Sequence, residues 1–139
     1  MQNHQIFWPV IGQLALTIVL YIILAHRKNV AAAEGRVNEE RRALHDDAWP
    51  AEVMQVNNCI RNQLEVPVLF YATILSLWSL GAINSFSIVA AWLFVGTRVM
   101  QAYIHIGSNY VPLRRKAFIV GMLLLILLLA QATYRLITI

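Results

Sequence analysis

Four long apolar runs set the terms for everything else this chain can do. They extend from about Ile6 to Ala25, Val56 to Gly81, Phe86 to Ile106 and Leu113 to the end. Each is close to the ~20 residues a helix needs to cross a hydrocarbon core. Stretches such as Gly121-Met122-Leu123-Leu124-Leu125-Ile126-Leu127 show no alternation, and four segments cannot close a barrel, so helices are the spanning structure open to them. Composition leads to the same place. Of 139 residues, 59% are hydrophobic and 13% charged, about half the charge that a water-soluble domain carries. The expectation is an all-α membrane protein, a four-transmembrane-helix bundle forming one domain over 1–139, with helices at about 6–28, 54–81, 84–106 and 113–137. The first run is preceded by no Lys or Arg and followed by no small-residue cleavage pattern, so it reads as a retained helix.

Charge is concentrated between the runs. The segment from His26 to about Gln55 holds most charges of both signs and reads as an extension of the first helix followed by a partly ordered loop that breaks near Trp49-Pro50. Arg27, Lys28, Arg36, Arg41 and Arg42 lie there, and Arg114, Arg115 and Lys116 lie at the entry to the fourth run. The opposite side has only Arg135, near the end. The positive-inside rule therefore predicts both basic loops in the cytoplasm and both termini on the other side. The net charge of +4 reports this orientation and attraction to anionic headgroups, not a nucleic-acid surface. The single cysteine, Cys59, excludes an intrachain disulfide and is expected to pack at a helix end. No grouping of His, Cys and carboxylates has metal-ligand spacing.

Three charged residues lie within the apolar runs: Arg61, Glu65 and Arg98. Each costs roughly 2.5 kcal/mol or more at a helix centre in a bilayer, so such side chains face a bundle interior and pair or bind something polar. Arg61 and Glu65 are four apart and share a helix face with Asn62; Arg98, Gln101 and His105 form a second stripe on the next helix. Glu65 and Arg98 lie on the order of 12 to 14 Å inside the same side of the membrane. Arg114 opens the fourth helix on that side, where the helix dipole disfavours a cation unless an anion is present. Pro67 leaves the Gln63 carbonyl without its helical donor. Such a set either satisfies itself between helices or takes a ligand with carboxylates and an ammonium, because Arg clamps carboxylate bidentately and Glu takes an amine. An Arg beside a thiol favours the thiolate.

Arg61-Asn62-Gln63-Leu64-Glu65-Val66-Pro67 resembles the second-helix signature of the MAPEG family, the membrane-associated proteins of eicosanoid and glutathione metabolism. Arg98, His105, Asn109 and Arg114 are similar to its third-helix and loop pattern, particularly in bacterial members. The resemblance covers essentially the whole chain. It implies a homotrimer that binds glutathione near the cytoplasmic side, with Arg61, Asn62, Glu65, Arg98 and His105 as ligand contacts. It also implies Arg114 as the thiol-activating residue and Arg27, or else His26, as a further contact from the first helix. Phe118, Arg115 and Gln101 stand where some members have tyrosine, serine and histidine, and Pro67 follows Glu65 closely; these departures argue against prostaglandin or leukotriene synthesis.

The function implied is a glutathione-dependent membrane transferase or peroxidase that acts on lipophilic electrophiles, with glutathione as cosubstrate. Two alternatives belong to other classes. One is a non-catalytic lipid-binding or scaffold protein with the same fold. The other is a small proton-coupled exporter, which would need a titratable Glu in the first helix, whereas here Glu65 is in the second with Arg61 beside it.

Overall fold

A computed structural model describes residues 2–139, which are helical almost throughout. After a 3₁₀ turn at Gln2–Ile6 come α1 (Phe7–Ala33), α2 (Ala51–Ser79), α3 (Ser85–Ile106) and α4 (Val111–Thr138), with a second 3₁₀ turn, Asp46–Ala48, between α1 and α2. Three helical stretches, Asn3–Ala33, Ser85–Ile106 and Val111–Thr138, are long and apolar enough to cross a membrane. α2 has 29 residues, ~43 Å at 1.5 Å per residue, so it has the length. Arg61, Asn62, Gln63 and Glu65 dilute its hydropathy.

Helix ends follow local chemistry. α1 runs past residue 28 to Ala33 because Val30-Ala31-Ala32-Ala33 gives it no reason to stop. Gly35, at φ 68°, then turns the chain. Its N–H donates to the Ala32 carbonyl at 3.1 Å and that of Arg36 to Ala31 at 2.9 Å, which satisfies two orphan carbonyls. Gly81, at φ 60°, closes α2 in the same way. α3 starts with a reciprocal cap: Asn84 Oδ1 accepts from the Ser87 N–H at 3.0 Å, and Ser87 Oγ accepts from the Asn84 N–H at 2.8 Å.

Two sets of hydrogen bonds show an up-down-up-down order. Arg27, late in α1, donates to the Glu52 carbonyl at the start of α2 (2.8 Å) and to Ile106 at the end of α3 (3.0 Å). At the other end, Gln131 and Arg135 of α4 donate to the carbonyls of Ala82 (2.7 Å) and Leu80 (3.3 Å) in the turn from α2 to α3. Consecutive helices are therefore antiparallel.

The interior is three-tiered. Toward the α2–α3 turn, one apolar cluster includes Phe70, Ile74, Leu77, Ala91, Phe94 and Leu128, with Phe70 and Phe94 stacked at 4.4 Å between centroids. Toward the basic loops, a second includes Leu20, Leu24, Val53, Val56, Cys59 and Ile60; Cys59 is buried there as a small apolar side chain. Between them lies a polar tier. Gln13 of α1 donates to Gln63 Oε1 of α2 at 2.9 Å, and Arg98 of α3 reaches the same oxygen at 3.4 Å.

The segment from Glu34 to Pro50 is folded against the bundle. Asn38 N–H donates to the Ala48 carbonyl at 3.0 Å. Trp49 lies between two cations, with Lys28 Nζ 4.9 Å and the Arg42 guanidinium carbon 5.1 Å from its ring centroid. Arg36 bridges Glu34 and Glu52 and holds the Glu52 carboxyl below its ordinary range, chiefly by that hydrogen bond.

Candidate functional site

Where α2 leaves the basic-loop end, its polar stripe meets the end of α3 and the start of α4. A cleft of about 430 Å³ opens there, lined by Gln55, Asn58, Arg61, Asn62, Glu65, His105, Asn109 and Arg114. A second hollow of about 220 Å³ shares Asn62 and Arg114 with it and adds Gln101, Val111, Arg115 and Phe118. Helical spacing places Arg61, Asn62 and Glu65 on one face of α2. The α3–α4 turn brings Arg114 opposite them.

The turn itself explains how Arg114 is held. Asn109 has φ 53°, a left-handed conformation that Asn tolerates better than most residues. Its N–H closes α3 on the Ile104 carbonyl at 2.7 Å. Its Oδ1 accepts from Arg114 Nη1 at 2.6 Å. One guanidinium nitrogen is thus anchored, which leaves the other edge of the fork toward the cleft. His105, buried at the end of α3, has Nδ1 3.5 Å from Asn62 Nδ2.

Arg98 stands behind the cleft, not in it. It is 1% exposed, and no carboxylate lies within ion-pair distance among the described residues. Its Nη2 donates to the Asn62 carbonyl at 3.0 Å and its Nε to Gln63 Oε1. The carbonyl it takes is that of Asn62, not the Gln63 carbonyl that Pro67 leaves without a helical donor. Arg98 thereby fixes the backbone of the residue whose side chain faces the cleft.

One expectation is corrected by this geometry. Arg61 does not pair with Glu65: it bridges to Asp46 across the first loop and reaches Asn58 Oδ1 at 3.4 Å, while Glu65 is exposed with no ion-pair partner among the described residues. An Arg four residues ahead of a Glu is the weaker helical order, and the folded-back loop offers Arg61 a better-placed carboxylate. One argument against an exporter, that Arg61 keeps Glu65 charged, falls with this; the other, that the first apolar run carries no charge, stands. Arg27 is not among the residues that line this cleft. Its guanidinium is spent on the Glu52 and Ile106 carbonyls, and His26 is exposed on the same helix end.

The side chains of Gln13 and Gln63 were given no role from sequence, yet they connect α1 to Arg98. The available signal was an amide inside each of three consecutive apolar runs, at Gln13, Gln63 and Gln101. Gln101 is 4% exposed and its Oε1 has no partner among the described residues, though it lines the smaller hollow. No metal-binding cluster of His, Cys and carboxylates occurs among the described residues.

Comparison with known proteins gives one result. A family model described as the MAPEG family matches residues 6–134. No curated protein and no solved structure matches the chain.

Proposed function

The chain belongs to the MAPEG family, and from that premise we propose that it is a glutathione-dependent membrane transferase or peroxidase acting on lipophilic electrophiles. The observation that carries this reading is the convergence of Arg61, Asn62, Glu65, His105 and Arg114 on one cleft. Its volume of about 430 Å³ lies in the range for small-molecule sites, about 300–1,000 Å³. Glutathione has two carboxylates, one ammonium and a thiol. Arg61 suits a carboxylate, Glu65 the ammonium, and Asn62 and His105 the peptide groups. Arg114 has one nitrogen anchored by Asn109 and the rest free to stabilise a thiolate. In conjugation the sulfur forms a bond to an electrophilic carbon, and the leaving group departs with its electron pair. In the peroxidase reaction two thiols become a disulfide while the hydroperoxide is reduced to alcohol and water.

The apolar walls of the bundle support delivery of a hydrophobic partner from the bilayer. They also support oligomerisation. Glu65 is exposed on a helix at bilayer depth without an ion-pair partner among the described residues. A lipid-facing carboxylate is costly, so we assign that face to contact with further copies of the chain, assembled as a trimer. We place α2 across the membrane with the other three helices, both basic loops in the cytoplasm and both termini opposite. Maleimide labelling of cysteines introduced at Asn38 and Ala82 in a Cys59→Ser background is expected to label from opposite sides; labelling of both from one side would refute that orientation.

The chemistry is tested by ultraviolet difference spectroscopy. Bound glutathione is expected to show thiolate absorbance at neutral pH, lost in Arg114→Ala while the tripeptide still binds. Equal thiolate absorbance in both proteins would remove Arg114 from this role.

A further inference from the structure

At the end of the bundle remote from the cleft, a second polar hollow of about 400 Å³ is lined by Gly81, Ala82, Asn84, Gln131, Tyr134 and Arg135. Arg135 is the sole Lys or Arg at this end, and all seven Asp and Glu residues fall between Glu34 and Glu65. It lies roughly 36 Å along α4 from Val111, at the far surface of a hydrocarbon core ~30 Å thick. Its Nε donates to the Leu80 carbonyl at 3.3 Å, and it has no ion-pair partner among the described residues. The two terminal nitrogens of the fork remain.

Gln131 supplies the second element. Its Nε2 donates to the Ala82 carbonyl at 2.7 Å, which fixes the amide's orientation, and its Oε1 has no partner among the described residues. The third element is apolar. Tyr134 is shared with a groove of about 450 Å³ that runs along α4 over Ile126, Leu129, Ala130, Thr133 and Ile137. Thr133 turns its hydroxyl onto the Leu129 carbonyl at 2.9 Å and so presents its methyl group.

We infer that this hollow and groove together form a phospholipid site. The phosphodiester lies on the free edge of Arg135, the headgroup occupies the hollow beside Gln131, and one acyl chain lies along the α4 groove. Charge complementarity selects this occupant: a cation with no ion-pair partner among the described residues, a polar hollow and an apolar track meet at membrane-surface height. The site is separate from the cleft and does not depend on the glutathione reading.

Native mass spectrometry of the delipidated full-length protein tests it, with phosphatidylethanolamine, a chain-matched diacylglycerol, and inorganic phosphate as competitor. Phospholipid is expected to remain bound where diacylglycerol does not, and millimolar phosphate is expected not to displace it. Arg135→Gln should weaken retention up to roughly fivefold, the size expected of one exposed ion pair with the lipid phosphate, and Arg135→Lys should restore most of it. Ala130→Trp, which fills the exposed groove without touching the headgroup residues, should also weaken it and decides the matter if Arg135→Gln does not fold. Equal retention of diacylglycerol, displacement by free phosphate, or undiminished phospholipid binding in Arg135→Gln or Ala130→Trp would overturn the inference.

Discussion

Gln63 Oε1 serves two buried donors, Gln13 Nε2 at 2.9 Å and Arg98 Nε at 3.4 Å, and this makes the two glutamines unequal. Gln63→Leu strips both donors of their acceptor and leaves Arg98 with only the Asn62 carbonyl. Buried groups left unpaired cost about 1–3 kcal/mol each and more when charged, so a loss of about 3 kcal/mol is expected. Gln13→Leu removes a hydrogen bond but also a Gln13 Oε1 that has no partner among the described residues, and the net change should stay within about 1 kcal/mol. Denaturant titration in detergent checks the order; a costlier Gln13→Leu would contradict it. The cleft residues on α2 and α4 were legible in the sequence because a charge in an apolar run needs a reason. Their partners were not. Asp46 is three-dimensional company for Arg61, supplied by a loop that folds back 15 residues earlier, and no spacing rule reaches across such a loop.

Among the elements, α3 and α4 are in tight contact where Gly121 faces Thr97. A Cβ at position 121 would lie 2.8 Å from Thr97 Oγ1, whose hydroxyl is held by the Phe94 carbonyl at 2.6 Å. Gly121→Val is expected to push the helices apart and cost about 1–3 kcal/mol, and Thr97→Ala in the same chain should recover part of that loss. Thermal unfolding of the single and double variants reads the coupling; additive effects would show that the two residues are not in contact. The approach matters for function because α4 carries Arg114 to the cleft. Helix existence followed from apolar run length, but helix ends needed the glycine turns and the Asn84–Ser87 cap. The extension of α1 to Ala33 depends on Gly35 being the first residue that the helix cannot absorb. Gly121 read as one more apolar residue, since only the neighbouring helix makes its missing side chain necessary.

For the whole molecule, two apolar clusters are separated by a polar tier that joins α1, α2 and α3, and the cleft opens beside that tier at the basic-loop end. Tertiary burial of this kind was readable as a bundle from sequence, yet the tier was not, because amides within apolar runs give no direction until the helices are packed. Arg98 anchors the backbone of Asn62 while Asn109 anchors Arg114, so the polar residues of the cleft are positioned before any ligand arrives. Calorimetric titration of glutathione into the purified full-length protein tests this most directly. Saturable binding at millimolar concentration or below is expected, with Arg61→Ala weakening it about tenfold or more, as loss of a charge-assisted hydrogen bond worth about 1.5–3 kcal/mol requires. No heat of binding at millimolar glutathione, or an Arg61→Ala protein that binds as well as the parent, would contradict it.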